Sequence, residues 1–146
     1  MQMEALILWE LEFMKTKIQE AIKDLNLQNF SVGNDLVHLP DFKLSFNELF
    51  RSKIYTTNEI SYCEAFDNPI LRYASTWAAK EAVYKAIKQL NDRPISFKKI
   101  EIIRDKIAGI PRVYIPEDYL NTEISLSITH DGDYIFAIAI AKRKYD

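Results

Sequence analysis

The sequence predicts an α+β fold in which one long central helix packs against an antiparallel β-sheet. The order of its patterns is helix, strand, helices and then three or four strands, an arrangement typical of α+β proteins. Residues 69–90 are rich in alanine and contain no glycine, so they are predicted to form the central helix. Two strand patterns near the C-terminus flank Asp131-Gly132, a dipeptide that favours a β-hairpin.

The composition indicates a single globular domain of ordinary size. The chain has 146 residues, of which 48% are hydrophobic and 27% charged, so disorder is not expected. The formal net charge of -2 argues against general affinity for nucleic acids or anionic membranes. The single cysteine cannot form an internal disulfide, and 3 glycines are too few for a glycine-rich phosphate loop.

The sequence shows no pattern that predicts export or membrane insertion. The first apolar run is interrupted by Glu4, Glu10 and Glu12 and has no basic leader, unlike a signal peptide. No apolar stretch approaches the roughly 18 residues that a membrane-spanning helix requires. We therefore expect a cytoplasmic protein that binds neither a membrane nor nucleic acid.

Residues 3–27 are predicted to form a long amphipathic helix. Its apolar side chains recur at helical spacing and form one stripe: Leu8, Leu11, Met14, Ile18, Ala21, Ile22 and Leu25. We expect this helix to pack on other parts of the protein. Binding of a partner or of a second copy is the alternative, because Trp9 and Phe13 widen the stripe. Residues 1–29 are thus a helical extension of a single domain whose core is 30–141.

An acidic residue interrupts the predicted strand 30–37. The strand is otherwise largely apolar, and Asp35 within it is costly unless another group pairs with the carboxylate. In one interpretation Asp35 lies at a strand end or turn and accepts backbone hydrogen bonds. In the other it is a metal ligand or a general base. His38 and Pro40 are predicted to end the strand.

Residues 41–66 are predicted to be helical in two pieces, the second beginning at Thr56 or Thr57. Three basic side chains give this region a positive surface: Lys43, Arg51 and Lys53. Such a surface is usually only solvated, but it is also suited to an acidic partner.

The predicted central helix 69–90 has an apolar face made largely of small residues, which allow a helix to approach a sheet closely. The residues of this face are Ala79, Ala82, Val83, Ala86 and Leu90. Glu81 and Lys85 lie four residues apart on another part of the helix surface. Taken alone, they predict a surface ion pair worth about 0.2–0.5 kcal/mol.

Three strand regions are predicted after the central helix: 97–103, 112–115 and 123–141, the last containing the hairpin turn. A turn at 108–111 separates the first two of these regions. His130 ends the first arm of the hairpin, where a lone histidine is more often structural than catalytic.

Four separated motifs together resemble the holo-acyl-carrier-protein synthase family of 4′-phosphopantetheinyl transferases, in its short, single-lobe class. They are Gly33-Asn34-Asp35, Ile54–Glu59, Trp77–Lys85 and Ser125–His130, in an order that also includes Gly109-Ile110-Pro111. The lysine–glutamate motif of the helix is weak alone, but its combination with the upstream Gly-x-Asp and the downstream Ser-x-Thr-His is specific. The resemblance covers residues 31–141.

The resemblance implies transfer of the 4′-phosphopantetheine arm of coenzyme A to a serine of an acyl carrier protein, with release of 3′,5′-ADP. It also implies Mg²⁺, a hard ion that suits one or two carboxylates together with substrate phosphates. Asp35 and Glu81 match the family's metal-binding residues, and Lys85 matches the lysine that contacts the phosphates. These three are the implied catalytic residues. The general base is either Glu81 itself or a metal-held water.

The same resemblance assigns further residues to coenzyme A. Lys80 precedes Glu81 as in the family and is expected to face the phosphates, and His130 matches the histidine near the nucleotide end. The family often has arginine at the position of Thr76, which is therefore a further coenzyme A-binding position. Arg72, one turn earlier on the same helix face, could substitute for that arginine.

The implied fold is a compact unit in which a long helix packs across a curved antiparallel sheet, here with an extra N-terminal helix. Short members of the family form homotrimers with active sites at subunit junctions, so we expect a homo-oligomer and most simply a trimer. Two other functions stay open. One is a non-catalytic module of the same fold that binds coenzyme A or a carrier protein. The other is an unrelated α+β interaction protein that docks through its N-terminal helix.

Overall fold

The computed structural model describes residues 2–24, 29–104, 109–119 and 121–144. The chain divides into two compact units, Met1–Phe30 and Ser31–Asp146. The first contains helix α1 (Gln2–Asp24), so the predicted N-terminal helix is present, although its predicted end at residue 27 lies outside the described residues. Trp9 and Phe13 stack with ring centroids 5.5 Å apart, and both side chains are exposed.

The second unit holds a three-stranded sheet in the order β1-β5-β4. These strands are β1 (Phe30–His38), β4 (Thr122–Asp131) and β5 (Tyr134–Arg143). Strands β4 and β5 form the predicted antiparallel hairpin, with Asp131 opposite Tyr134. Gly132 has a φ of 55°, a left-handed conformation that glycine adopts without a steric penalty, so the Asp-Gly signal marks the turn correctly.

A second, two-stranded antiparallel sheet consists of β2 (Glu101–Ile103) and β3 (Arg112–Tyr114). The predicted strand 97–103 is therefore too long, because Phe97–Lys99 form a 3-10 turn. The Phe97 ring lies between Trp77 and Tyr84, with centroid distances of 4.9 and 4.8 Å. This packing, which alternation in the sequence does not reveal, holds the segment out of the sheet.

Three short helices, rather than the two predicted pieces, follow β1: α2 (Leu39–Ser45), α3 (Glu48–Ile54) and α4 (Thr57–Glu64). Helices α2 and α3 are separate because Asn47 caps the start of α3, where its side chain accepts a hydrogen bond from the Phe50 amide.

Thr56 is the residue that caps α4. Its hydroxyl accepts from the Glu59 amide, and the Glu59 carboxylate accepts from the Thr56 amide, which forms a complete capping box. The sequence left the choice between Thr56 and Thr57 open, and the capping box decides it.

The long helix α5 (Pro69–Leu90) has the predicted bounds and is the centre of the second unit. Proline suits its first turn, where an amide hydrogen would lack a partner. Its small-residue face packs on β5, whose inward side chains are also small. The fully buried alanines of the two elements are Ala74, Ala78, Ala79, Ala82 and Ala86 on α5 and Ala137, Ala139 and Ala141 on β5. Alanine on both surfaces allows the helix and sheet backbones to lie close together.

Within the described ranges, no helix is both long enough and apolar enough to cross a lipid bilayer.

Candidate active site

Strand β1 lies directly against the backbone of helix α5. A Cβ atom at Gly33 would lie 1.9 Å from the carbonyl oxygen of Ala82, so only glycine permits this approach. The Ser31 hydroxyl donates to the carbonyl of Ala86 at 2.6 Å, and the Gln89 side chain donates to the carbonyl of Val32 at 2.7 Å. These contacts fix the register between strand and helix and so determine which helix residues face the end of the strand.

This register brings together Asp35, Glu81 and Lys85. Lys85 Nζ donates to Asp35 Oδ1 and to the Asn34 carbonyl, both at 2.9 Å. The lysine therefore pairs with the strand aspartate, and not with Glu81 on its own helix as spacing alone suggested. Asp35 lies inside the strand and not at a turn.

Glu81 is half-buried and has a raised pKa. Burial is the main cause, the negative charge of Asp35 adds to it, and Lys85 opposes it. Two carboxylates that interact in this way are stabilised by a cation between them. The side chains of Asp35 and Glu81 line an open cleft of about 390 Å³, to which Trp77 and His38 also contribute.

The donor set of this cleft fits Mg²⁺. Carboxylate oxygens are its preferred protein ligands, and it commonly takes one or two of them while keeping waters or substrate phosphates. Among the described residues, no group of three or more His, Cys, Asp and Glu side chains could enclose a metal ion. The cleft therefore suits an ion that two carboxylates hold and whose remaining ligands come from the substrate. It does not have the ligands of a structural metal site.

The prediction that Lys80 faces substrate phosphates is wrong in this structure. Its side chain is fully buried, and Nζ donates to both oxygens of Glu59, at 2.8 and 2.7 Å, and to the Ile100 carbonyl. Successive helix residues point about 100° apart, so a residue next to Glu81 can face the interior. Burial lowers the pKa of Lys80 and raises that of Glu59, and the contact between them opposes both shifts.

The Glu59 carboxylate also accepts from two backbone amides, that of Thr56 in the capping box and that of Ile102 at 2.8 Å. The pair with Lys80 therefore ties α4, α5 and β2 together beneath the face that carries Glu81. We assign Lys80 a structural role in supporting α5.

A second cleft, of about 550 Å³, contains the predicted residues Arg72 and His130 together with Gly109 and Pro111. The Arg72 guanidinium stacks on the Phe66 ring, 4.1 Å from its centroid. The structure thus places Arg72 and His130 in one cleft. None of the residues that line this cleft lines the cleft of Asp35 and Glu81.

Thr76 does not reach the surface of this cleft, which corrects the prediction that it binds coenzyme A directly. Its side chain is fully buried, and its hydroxyl donates to the Arg72 carbonyl at 2.8 Å. The same hydroxyl receives a hydrogen bond from Arg104 and lies 3.8 Å from the Cys63 sulfur. With this set of partners Thr76 is part of the core.

Sequence reasoning missed Arg104, which follows β2 and lines the second cleft beside Arg72 and His130. Its guanidinium lies over the Tyr62 ring at 4.5 Å and donates to the Ser75 hydroxyl at 3.0 Å. A single arginine at the end of a short strand carries no pattern of its own. The only available signal was its position shortly before the Gly-Ile-Pro segment.

Comparison with known proteins identifies the family. A model of the 4'-phosphopantetheinyl transferase superfamily matches residues 31–139. A holo-[acyl-carrier-protein] synthase of Chlamydia trachomatis serovar D is 34% identical over 120 residues, covering 77% of this chain and 99% of the relative. The Aquifex aeolicus enzyme of the same name is also 34% identical over 120 residues, covering 77% of this chain and 98% of the relative.

A solved structure shows the same fold. The "Chronobacterium ammoniagenes ACPS-CoA complex" superposes with a TM-score of 0.68 at 27% sequence identity, covering 80% of this chain and 98% of the other. The matched segment 31–139 contains all seven predicted site residues and corresponds closely to the second structural unit.

Proposed function

This chain belongs to the 4′-phosphopantetheinyl transferase superfamily, and we propose that it transfers the 4′-phosphopantetheine group of coenzyme A to a serine of an apo acyl carrier protein. The observation that carries the proposal is the cluster of Asp35, Glu81 and Lys85 within the segment matched to the family. Two relatives of nearly the same length as the matched region are named as synthases of this kind, and a structural neighbour is a complex with CoA.

The reaction is displacement at phosphorus. The serine oxygen bonds to the phosphorus that carries pantetheine, and the bond from that phosphorus to the bridging oxygen of the pyrophosphate breaks. The products are the phosphopantetheinyl serine and 3′,5′-ADP. The protein has little covalent chemistry to perform, so its residues act by positioning groups and neutralising charge.

Asp35 and Glu81 would hold Mg²⁺, which supplies positive charge to the pyrophosphate when it is bound. Lys85 would neutralise the oxygen that leaves with the 5′-phosphate of 3′,5′-ADP, because its ammonium lies beside Asp35 and is about half exposed. The serine proton passes to Glu81 or to a water beside it.

The carrier protein is proposed to dock on the basic surface near α2 and α3. Lys43 and Lys53 are exposed, whereas Arg51 is engaged with Glu48 at 2.9 Å and with Glu64 at 3.5 Å. The two lysines are therefore the better contacts for an acidic partner. Their replacement by glutamate should raise KM for the carrier protein, and more at low salt, with no change in KM for coenzyme A.

A homo-oligomer, with the three copies that the family resemblance implies, is proposed as the active assembly. Strands β1 and β5 expose apolar side chains on the sheet: Val32, Leu36, Tyr134, Phe136 and Ile140. The two clefts described above could then combine across a junction between copies. Sedimentation equilibrium of the wild type and of Leu36→Glu tests this: a monomeric wild type would refute it. A cytoplasmic location and a single-domain organisation remain predictions from the sequence.

The experiment that tests the function is the intact mass of an apo acyl carrier protein after incubation with this protein, coenzyme A and Mg²⁺. We expect a gain of one phosphopantetheine group, which is lost with the Glu81→Gln variant. Binding of coenzyme A without any mass gain, across several carriers, would support the non-catalytic module instead. Absence of coenzyme A binding would refute both.

A further inference from the structure

We propose that Arg104 is the principal residue of this chain that binds the 3′-phosphate of coenzyme A, in the cleft that it shares with Arg72 and His130. The proposal rests on the proposed function and names a specificity-determining residue for it. It concerns an arginine that none of the sequence motifs contains.

The described residues that line this cleft carry positive charge. The described residues that line it include the two arginines and a histidine, and no aspartate or glutamate. In the described ranges, neither Arg72 nor Arg104 forms an ion pair with a carboxylate. Guanidinium groups that are partly buried without an acidic partner are costly, so an anion in the cleft would stabilise both of them.

Arg104 also has unused hydrogen-bonding capacity. Its terminal nitrogens donate to neutral acceptors, the hydroxyls of Ser75 and Thr76 and the Arg72 carbonyl, while its Nε is buried and has no partner. Burial, together with the nearby charge of Arg72, lowers the pKa of Arg104. A dianionic ligand would offset this unfavourable balance, because it brings two opposite charges close to both guanidinium groups.

The contact between Arg104 and Thr76 explains how the arginine reaches this position. Thr76 is small and fully buried, so the space above it is available, and the Arg104 guanidinium occupies it and donates to the Thr76 hydroxyl. A long side chain at position 76 would compete for that space. The guanidinium that fills this space therefore comes from Arg104 at the end of β2, and not from a side chain at position 76 of α5.

The identity of the anion follows from the chemistry of coenzyme A. Its pyrophosphate belongs beside Asp35, Glu81 and Lys85, where two carboxylates can bind a metal ion. The remaining anionic group of the substrate is the phosphate monoester on the ribose. A monoester carries up to two charges and three terminal oxygens, which suits two guanidinium groups and an imidazole.

The test compares two substrates that differ only in this phosphate. Transfer from coenzyme A and from 3′-dephospho-coenzyme A is measured for wild type, Arg104→Gln and the control Arg93→Gln, whose side chain lines neither cleft. We expect Arg104→Gln to lower kcat/KM for coenzyme A by about 10- to 100-fold, the scale of a hydrogen bond to a charged group. Its kcat/KM for 3′-dephospho-coenzyme A should change by less than about threefold, within the ordinary scatter of such contacts.

A binding measurement makes the test independent of turnover and of metal. Calorimetry with adenosine 3′,5′-bisphosphate should show weaker binding to Arg104→Gln, whereas binding of 5′-AMP should be unchanged. If Arg104→Gln does not fold, Arg104→Lys keeps the charge, and a selective loss for the 3′-phosphorylated ligand is again expected. An equal loss for both ligands, or no loss for either, overturns the proposal. Selective binding by a wild type that transfers nothing would refute only the proposed function.

Discussion

The backbone of Gly33 lies so close to that of Ala82 that a Cβ atom on the glycine would come within 1.9 Å of the Ala82 carbonyl oxygen. This contact sets the spacing between β1 and α5, and with it the position of Asp35 relative to Glu81 and Lys85. The site is therefore built from backbone contact as much as from its charged side chains.

Gly33→Ala should lower both stability and activity. The added methyl group meets helix backbone, which cannot rotate away, so we expect the free energy of unfolding to fall by about 1–3 kcal/mol. Displacement of Asp35 should also reduce transfer in the fraction that stays folded. Urea unfolding and transfer rates measure the two effects. Gly132→Asn is the control, because asparagine adopts a positive φ and nothing lies within 4 Å of that position. If Gly33→Ala unfolds at the same urea concentration as the wild type, the close contact between Gly33 and the Ala82 carbonyl would be contradicted.

Glu81→Gln should abolish transfer without destabilising the protein. The fold already disfavours the charged form of Glu81, as its raised pKa indicates, so a neutral amide removes repulsion from Asp35. We expect Mg²⁺ to raise the melting temperature of the wild type by mass action and to leave that of Glu81→Gln unchanged. Thermal shift measures this, with exposed Glu123→Gln as the control. Retention of the Mg²⁺ effect in Glu81→Gln would place the ion elsewhere.

Lys85→Ala should reduce the transfer rate by roughly 10²–10³-fold, the scale of one preorganised group that stabilises developing charge. Lys88→Ala is the matched control, since Lys88 lies one turn later on α5 and donates to the carbonyls of Asp92 and Arg93. Steady-state kinetics with saturating carrier protein measures the effect. Similar rates for the two variants would exclude Lys85 from the chemistry.

Lys80→Met should act on stability and not on substrate binding. It leaves the Glu59 carboxylate buried without its cation, at a cost of about 3–5 kcal/mol, and Glu59→Gln should cost a comparable amount. The double variant should lose less stability than the two single variants together, because neither charge is then buried without its partner. Urea unfolding of the four proteins measures this coupling. If Lys80→Met instead has unchanged stability and a raised KM for coenzyme A, the prediction that Lys80 contacts the phosphates directly would be supported.

Alkaline pH should destabilise the protein. Burial raises the pKa of Cys63 from 9.0 to about 11 and that of Tyr73 from 10.0 to about 12, and it also raises the pKa of Tyr55. Between pH 9 and 12 these three groups therefore lose protons in the unfolded chain that they retain in the folded chain, so their contribution to the free energy of unfolding falls as pH rises, whereas the lowered pKa of Lys80 acts in the opposite direction. For Cys63 the loss is about 2–3 kcal/mol.

Urea midpoints at pH 8 and pH 11 check this dependence. Cys63→Ala should remove the thiol's share of the decline and leave the part due to the two tyrosines. An identical change in midpoint between pH 8 and pH 11 for the wild type and Cys63→Ala would show that the thiol titrates normally in the folded state.

Local sequence patterns were sufficient for the main elements. The alanine-rich run predicts α5 with its observed bounds, and Asp131-Gly132 predicts the hairpin, because propensity and turn chemistry act over a few neighbouring residues. The motifs around Asp35, Glu81 and Lys85 also point to one site, since the residue types and their order along the chain carry that information.

Tertiary structure alone decided the partners of these residues. Whether Lys80 faces solvent or Glu59 depends on the rotation of α5 against α4 and β2, which spacing along the helix does not determine. Arg104 meets Thr76 across 28 positions of sequence, and neither residue signals the other. Phe97 leaves the predicted strand because two α5 aromatics surround it. The sequence by itself therefore determined the central helix, the hairpin and the chemical character of the site. Packing between distant segments determined which charged groups are buried as structure and which line a cleft where they can bind substrate.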